Sequence, residues 1–129
     1  MTPTILIIDD DAKLNQLLKD FLKDFGFDVV TATHPAKGLK TLKQASPDLV
    51  ILDIMLPGID GYEVCEIIRL NPDYRDIKII FLTARRDEVE IAKGLALGAD
   101  AYITKPFSND KLVAAVNSVL ENTYEEAGK

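Results

Sequence analysis

What the 129-residue chain has little of narrows its chemistry first. It carries one cysteine, Cys65, and one histidine, His34. A lone cysteine forms no internal disulfide, which fits a reducing compartment, and a cytoplasmic location is expected. With so few soft ligands, zinc is not the expected metal. No apolar run approaches the roughly 20 residues that cross a bilayer, and Met1-Thr2-Pro3-Thr4 leads into strand-like sequence without the basic segment of a secretion signal. Cationic residues are in deficit: 15 Lys+Arg against 21 Asp+Glu leave a net charge of −6. That charge repels phosphate backbones and no Lys/Arg stripe offsets it locally, so direct binding to nucleic acid is not expected, nor is a membrane partner. Linkers and low-complexity tracts are missing as well. A chain of this length buries one core without disulfides or a structural metal.

What is there is a regular alternation. β-Branched runs at Ile5 to Ile8, Asp28 to Ala32, Asp48 to Leu52, Ile77 to Leu82 and Ala101 to Thr104 are separated by segments of helical period. Five such units recur every roughly 26 residues, the spacing of repeated strand-helix pairs. The third and fourth runs do not alternate polar with apolar, as expected of parallel strands covered by helices on both faces. Leu14, Leu17, Leu18, Phe21, Leu22 and Phe25 predict an amphipathic first helix ended by Gly26. A second helix is expected from Pro35 to Ala45, weakened by Gly38. A third runs from about Tyr62 to Leu70 and a fourth from about Asp87 to Leu97, capped by Gly98. The fifth opens at Ser108 and carries Leu112, Val113, Val116, Val119 and Leu120 on one face. Beyond Leu120 the sequence is polar and is expected to fray. The fold class is α/β, a doubly wound five-stranded parallel sheet.

In open parallel sheets, ligands bind beyond the carboxyl ends of the strands. Four of the five expected strand ends carry polar chemistry: Asp9-Asp10-Asp11, Asp53, Thr83 and Lys105. Each has an ordinary explanation taken alone. Asp11 caps the first helix, Asp53 satisfies a turn, Thr83 is a β-branched strand residue and Lys105 is a solvated lysine. Together they read differently. Carboxylates gathered at one edge repel unless a cation lies between them, and an all-oxygen donor set with open positions suits Mg²⁺, with Mn²⁺ as a substitute. A carboxylate also serves as a nucleophile on phosphorus, and a lysine opposite it supplies counter-charge for a phosphoryl group.

Four blocks carry a resemblance at this point: Ile5 to Asp11, Pro47 to Gly61, Phe81-Leu82-Thr83-Ala84-Arg85, and Gly98 to Phe107. Their order and spacing resemble those of receiver domains of response regulators, the phosphoacceptor half of two-component signalling. The resemblance implies a flavodoxin-like (βα)5 sheet of order 2-1-3-4-5, with 1–121 as the receiver domain and 122–129 as a polar C-terminal tail. It implies that Asp53 accepts a phosphoryl group from a histidine kinase or histidine phosphotransfer protein. Asp10, Asp53, the backbone carbonyl of Met55 and, through water, Asp9 would hold Mg²⁺. Thr83, Ala84 (through its backbone N–H) and Lys105 would bind the phosphoryl oxygens, with the Lys105-Pro106 bond cis. Tyr102 would be a switch aromatic that turns inward as Thr83 moves, altering a face of helix four, strand five and helix five that a downstream protein or output domain reads. Such a domain is a switch that catalyses only its own phosphorylation and dephosphorylation, not an enzyme acting on other substrates.

Two departures bear on assembly. Met55 and Arg85 resemble residues of the subgroup that controls winged-helix transcription factors, although the sequence from Glu121 to Lys129 is not read as a DNA-binding domain. That subgroup dimerises through charge pairs, and Ile91, Ala101, Lys111 and Ala115 stand at the paired positions, so a monomer or weak dimer is expected. Rival readings fit less well. A flavin domain needs a phosphate loop where this chain has three aspartates, and an aspartyl phosphatase has a second acid where Met55 stands. A receiver-like interaction module that is not phosphorylated is the alternative. Cys65 is expected to be a small buried residue, His34 a surface residue, and Tyr62, Glu63 and Arg85 to Glu88 solvated faces.

Overall fold

The chain is described by a computed structural model covering the backbone of residues 2–127 and the side chains of residues 2–121. Five strands, β1 (Thr4–Ile8), β2 (Asp28–Ala32), β3 (Leu49–Leu52), β4 (Lys78–Thr83) and β5 (Ala101–Thr104), alternate with α1 (Ala12–Asp24), α2 (Pro35–Ala45), α3 (Gly61–Leu70), α4 (Glu88–Ala96) and α5 (Asn109–Ala127). All pairings are parallel and the strand order is β2-β1-β3-β4-β5. The expected doubly wound fold is therefore present.

Period-two alternation of the strands divides the core in two. Ile5, Ile7, Leu49, Ile51, Ile80, Leu82 and Ile103 face one side with Leu18 and Leu22 of α1 and Leu112 and Val116 of α5. Leu6, Ile8, Val50, Leu52, Ile79 and Phe81 face the other with Leu42 of α2 and Val64, Cys65 and Ile68 of α3. Both faces of β3 are fully buried, which is why its sequence does not alternate.

Several local expectations change. The buried stripe of α1 is Asn15, Leu18 and Leu22, while Leu17 and Phe25 are exposed. Gly38 permits a close approach: a Cβ there would meet the Ile8 side chain at 2.6 Å, so the glycine that costs α2 propensity lets it pack on β1. Tyr62 is buried against Phe81, not solvated; its apolar ring lies on the inner side of α3 and its hydroxyl finds a partner on α4. His34 is exposed and caps α2 through Nδ1. Pro72–Tyr74 forms a short 3-10 turn that the sequence reading does not anticipate. α5 continues past Leu120 to Ala127, because nothing from 121 to 127 is a glycine or proline; Gly128 is the first such residue. The side chains of the expected tail, 122–129, lie outside the described residues.

Candidate functional site

The parallel register brings the carboxyl ends of β1, β3 and β4 side by side, with Ile8 opposite Leu52 and Leu52 opposite Phe81. The residues that follow are therefore neighbours. Asp9 leaves β1 with its N–H donated to the Ala32 carbonyl, and Asp53 leaves β3 with its N–H donated to the Ile8 carbonyl. Carboxylate oxygens of Asp9, Asp10 and Asp53 lie within 4.8 Å of one another. Asp9 and Asp53 are buried, whereas Asp10 is exposed.

Lys105 reaches the same point from the end of β5. Its Nζ donates to Asp9 Oδ2 at 2.8 Å and to Asp53 Oδ2 at 3.1 Å. The Lys105-Pro106 bond is cis, as the resemblance implies, and Arg86 donates to the Lys105 carbonyl. The remaining carboxylate oxygens are also engaged: Asp9 Oδ1 accepts from the Asp11 N–H at 2.9 Å and Asp53 Oδ1 from the Met55 N–H at 3.2 Å. Asp11 itself caps α1, accepting from the N–H groups of Lys13 and Leu14.

Burial pushes the Asp9 carboxyl above its ordinary range, more than Lys105 and the Asp11 N–H pull it down, and the Asp53 charge adds to the rise. For Lys105, burial acts to lower the ammonium value, but the bond to Asp9 and the charges of both aspartates outweigh it and the net direction is up. The two partners differ because one ammonium serves two carboxylates, while Asp9 shares that ammonium and faces a like charge.

With all three aspartates ionised and Lys105 protonated the local charge is −3 + 1 = −2. Among the described residues Asp10 pairs with no cation. Three hard oxygen donors with a residual charge of −2 fit a divalent cation of the Mg²⁺ type, and among the described residues no sulfur or imidazole ligand joins the cluster to favour zinc.

Thr83 ends β4 fully buried, and its Oγ1 accepts from the Arg85 N–H at 3.3 Å; Ala84 follows, exposed at the same edge. Tyr102 is half-buried, 5.9 Å from the Phe81 ring, and its hydroxyl donates to the Arg85 carbonyl at 2.7 Å. Arg85 thus touches both the strand-end threonine and the β5 tyrosine. It also pairs with Glu90 at 3.5 Å, and Glu90 accepts from the Tyr62 hydroxyl. A cavity of about 350 Å³ beside the acidic edge is lined by Ile54, Met55, Tyr62, Arg85, Glu90 and Lys93.

Asn15, Tyr62 and Glu90 escape the sequence reading. Asn15 had a signal: it stands at the buried i, i+3, i+7 positions with Leu18 and Leu22, where a polar side chain needs a reason. Tyr62 and Glu90 had none, since their contact joins residues 28 apart.

Comparison with known proteins agrees with this geometry. A family model described as the response regulator receiver domain matches residues 5–117. Relatives include the transcriptional regulatory protein AfsQ1 of Streptomyces coelicolor, 42% identical over 97% of this chain and 54% of its own length. Another is the DNA-binding response regulator MtrA of Mycobacterium tuberculosis, 40% identical over 98% of this chain and 54% of its own. The chain spans about half the length of these curated relatives. Relatives named as DNA-binding lend no support to the expected absence of nucleic-acid binding, which has only the charge of these 129 residues behind it. Among solved structures, a CheY-like receiver domain protein from Methanospirillum hungatei superposes with a TM-score of 0.89 at 30% identity, covering 98% of this chain and 99% of its own. The BeF3-activated N-terminal receiver domain of RstA from Klebsiella pneumoniae gives 0.85 at 30% identity, covering 91% and 97%. No helix among the described residues is long and apolar enough to cross a membrane. The chain belongs to the family of response regulator receiver domains.

Proposed function

We propose that this chain is a phosphoacceptor switch in which Asp53 takes a phosphoryl group from a phosphohistidine on a histidine kinase or phosphotransfer protein in the cytoplasm. The observation that carries the reading is the placement of Lys105 Nζ between Asp53 Oδ2 and Asp9 Oδ2. That ammonium stands where the oxygens of an incoming phosphoryl group would gather.

In the transfer, a carboxylate oxygen of Asp53 forms the new O–P bond as the P–N bond to the donor imidazole breaks. The imidazole leaves with the electron pair and takes up a proton. Asp53 becomes a mixed anhydride, its negative charge exchanged for that of the phosphoryl oxygens. Lys105 then turns from Asp53 to one of those oxygens, and the Thr83 hydroxyl and Ala84 N–H meet the others. Asp10, Asp53, the Met55 carbonyl and, through water, Asp9 would hold Mg²⁺ or Mn²⁺, which neutralises charge on the transferring group.

The output is a changed surface across α4, β5 and α5, read by a downstream protein or output domain. Throwing a two-state equilibrium from 1:99 to 99:1 takes about 5.5 kcal/mol, and one hydrogen bond to a charged group supplies about 1.5 to 3 kcal/mol. Thr83 therefore acts with Lys105 and the repacking of Tyr102. When Thr83 Oγ1 turns to a phosphoryl oxygen it releases the Arg85 N–H, and Arg85 also holds the Tyr102 hydroxyl.

Incubation with Mg²⁺ and acetyl phosphate or phosphoramidate, followed by intact mass, tests the reading. A gain of one phosphoryl group that Asp53→Asn abolishes is expected. Unchanged mass, together with no spectral response to the BeF3 used to activate the RstA receiver, would favour an interaction module that is not phosphorylated.

A further inference from the structure

The acidic edge is built unevenly. Asp9 and Asp53 are buried and each is held by two hydrogen bonds, whereas the exposed Asp10 carboxylate accepts none from the described residues. Only its own backbone can aim it. The peptide plane that fixes Asp10 contains the Asp9 carbonyl, and that carbonyl accepts from Asn15 Nδ2 at 2.9 Å. The same amide donates its second hydrogen to the Ala32 carbonyl at 3.3 Å, which already accepts from the Asp9 N–H. Asn15 thus fastens the peptide after Asp9 to the end of β2, one residue beyond the last ladder pair, Ile8 with Ala32.

The amide has one orientation. Turning it over would set Oδ1 against two carbonyl oxygens, so Oδ1 is left buried without a hydrogen-bond partner while Asn15 is 2% exposed. An unpaired buried acceptor on the core stripe of a helix is unfavourable, and leucine would fill the site without that cost. The two carbonyl bonds are what an asparagine supplies there and a leucine does not.

We infer that Asn15 is a positioning residue for the acidic site, pinning the peptide between Asp9 and Asp10 and thereby directing the Asp10 carboxylate toward the cation. The inference rests on the reading of Asp9, Asp10 and Asp53 as a Mg²⁺ site. It predicts a coupling to Asp10, not to the cluster as a whole. Groups one step removed from metal ligands typically change affinity by about 10 to 100-fold when lost.

The experiment is a double-mutant cycle on the unphosphorylated chain, titrated with Mg²⁺ and with Mn²⁺ by calorimetry, with thermal unfolding run on each variant. Asn15→Leu is expected to weaken binding about ten-fold or more. In the Asp10→Asn background the same change is expected to add nothing to the residual affinity. A general loosening of the domain would instead weaken both backgrounds alike, and that additivity overturns the assignment, as does an Asn15→Leu chain that binds as the parent does. Should Asn15→Leu not fold, Asn15→Ala takes its place in the cycle; if neither folds, Asn15 is a core residue and the assignment fails. A parent chain with no saturable binding of either ion overturns the metal reading together with the inference, whereas a binding parent with an indifferent Asn15 variant overturns the inference alone.

Discussion

Asp9 enters the folded protein against its electrostatic preference. Its carboxyl is raised by burial, so the folded state holds that proton more tightly than the unfolded chain. The stability this group contributes is present at low pH and is lost as pH rises through the raised folded value. An Asp9→Asn chain, which cannot titrate there, should therefore be more stable than the parent at neutral pH without metal, and the gap should close below about pH 4. Urea unfolding across that range measures it; a parent more stable than the variant at pH 7 would contradict the argument. Cys65 makes a second case. Burial pushes its thiol up to about 11, and its Sγ contacts the Leu97 carbonyl. Thiol reagents at neutral pH should label it only as fast as the chain opens, with full labelling in denaturant. The residues of the candidate site were largely legible in the sequence, because Asp9, Asp53, Thr83 and Lys105 are polar at points where apolar strands stop. Asn15 could have been found from its place on the apolar stripe of α1, whereas Tyr62 could not, since it is polar at one end only and helical sequence does not say which end is inside.

At the scale of elements, α3 and α4 are set by contacts with the edge they flank. Gly61 opens α3 directly on the peptide after Asp53: a Cβ there would overlap the Asp53 carbonyl oxygen and lie 2.7 Å from the Ile54 Cα. Gly61→Ala should cost about 1 to 3 kcal/mol of stability, as overpacking typically does, and should weaken Mg²⁺ binding because the backbone that must move carries Asp53. The Tyr62 hydroxyl joins α3 to α4 through Glu90, and Tyr62→Phe keeps the ring packed on Phe81 while removing that bond. A loss of about 1 to 2 kcal/mol is expected on denaturant unfolding, with hydrogen exchange faster in the first turn of α4. Element positions were readable from periodicity to within a residue or two. The errors fell where period and burial part company: Leu17 and Phe25 fit the stripe of α1 by spacing but lie outside it, and α5 persists through polar sequence because helix formers need no apolar partner to continue.

For the molecule as a whole, binding of a divalent cation should be visible as stability. At a hundred times its dissociation constant, Mg²⁺ should raise the unfolding free energy by about 2.7 kcal/mol, and Asp10→Asn should lose most of that increment. In sedimentation the 129-residue chain should run as a monomer or weak dimer, unchanged by BeF3, since Ile91, Ala101, Lys111 and Ala115 stand where the resembled subgroup carries the charges that pair across its dimer. A dimer driven by the phosphoryl mimic through that face would overturn this expectation.

The reach of Lys105 has a consequence for the chain while it is being made. Its two carboxylate partners lie 96 and 52 residues earlier. All three aspartates are therefore synthesised well before the ammonium that bridges Asp9 and Asp53, an interval of about 3 to 10 seconds at ordinary elongation rates. During that interval the nascent segment holds the acids without Lys105, the cation that joins Asp9 to Asp53 in the finished fold. The ammonium bridge between the ends of β1 and β3 is thus completed only once β5 has been made.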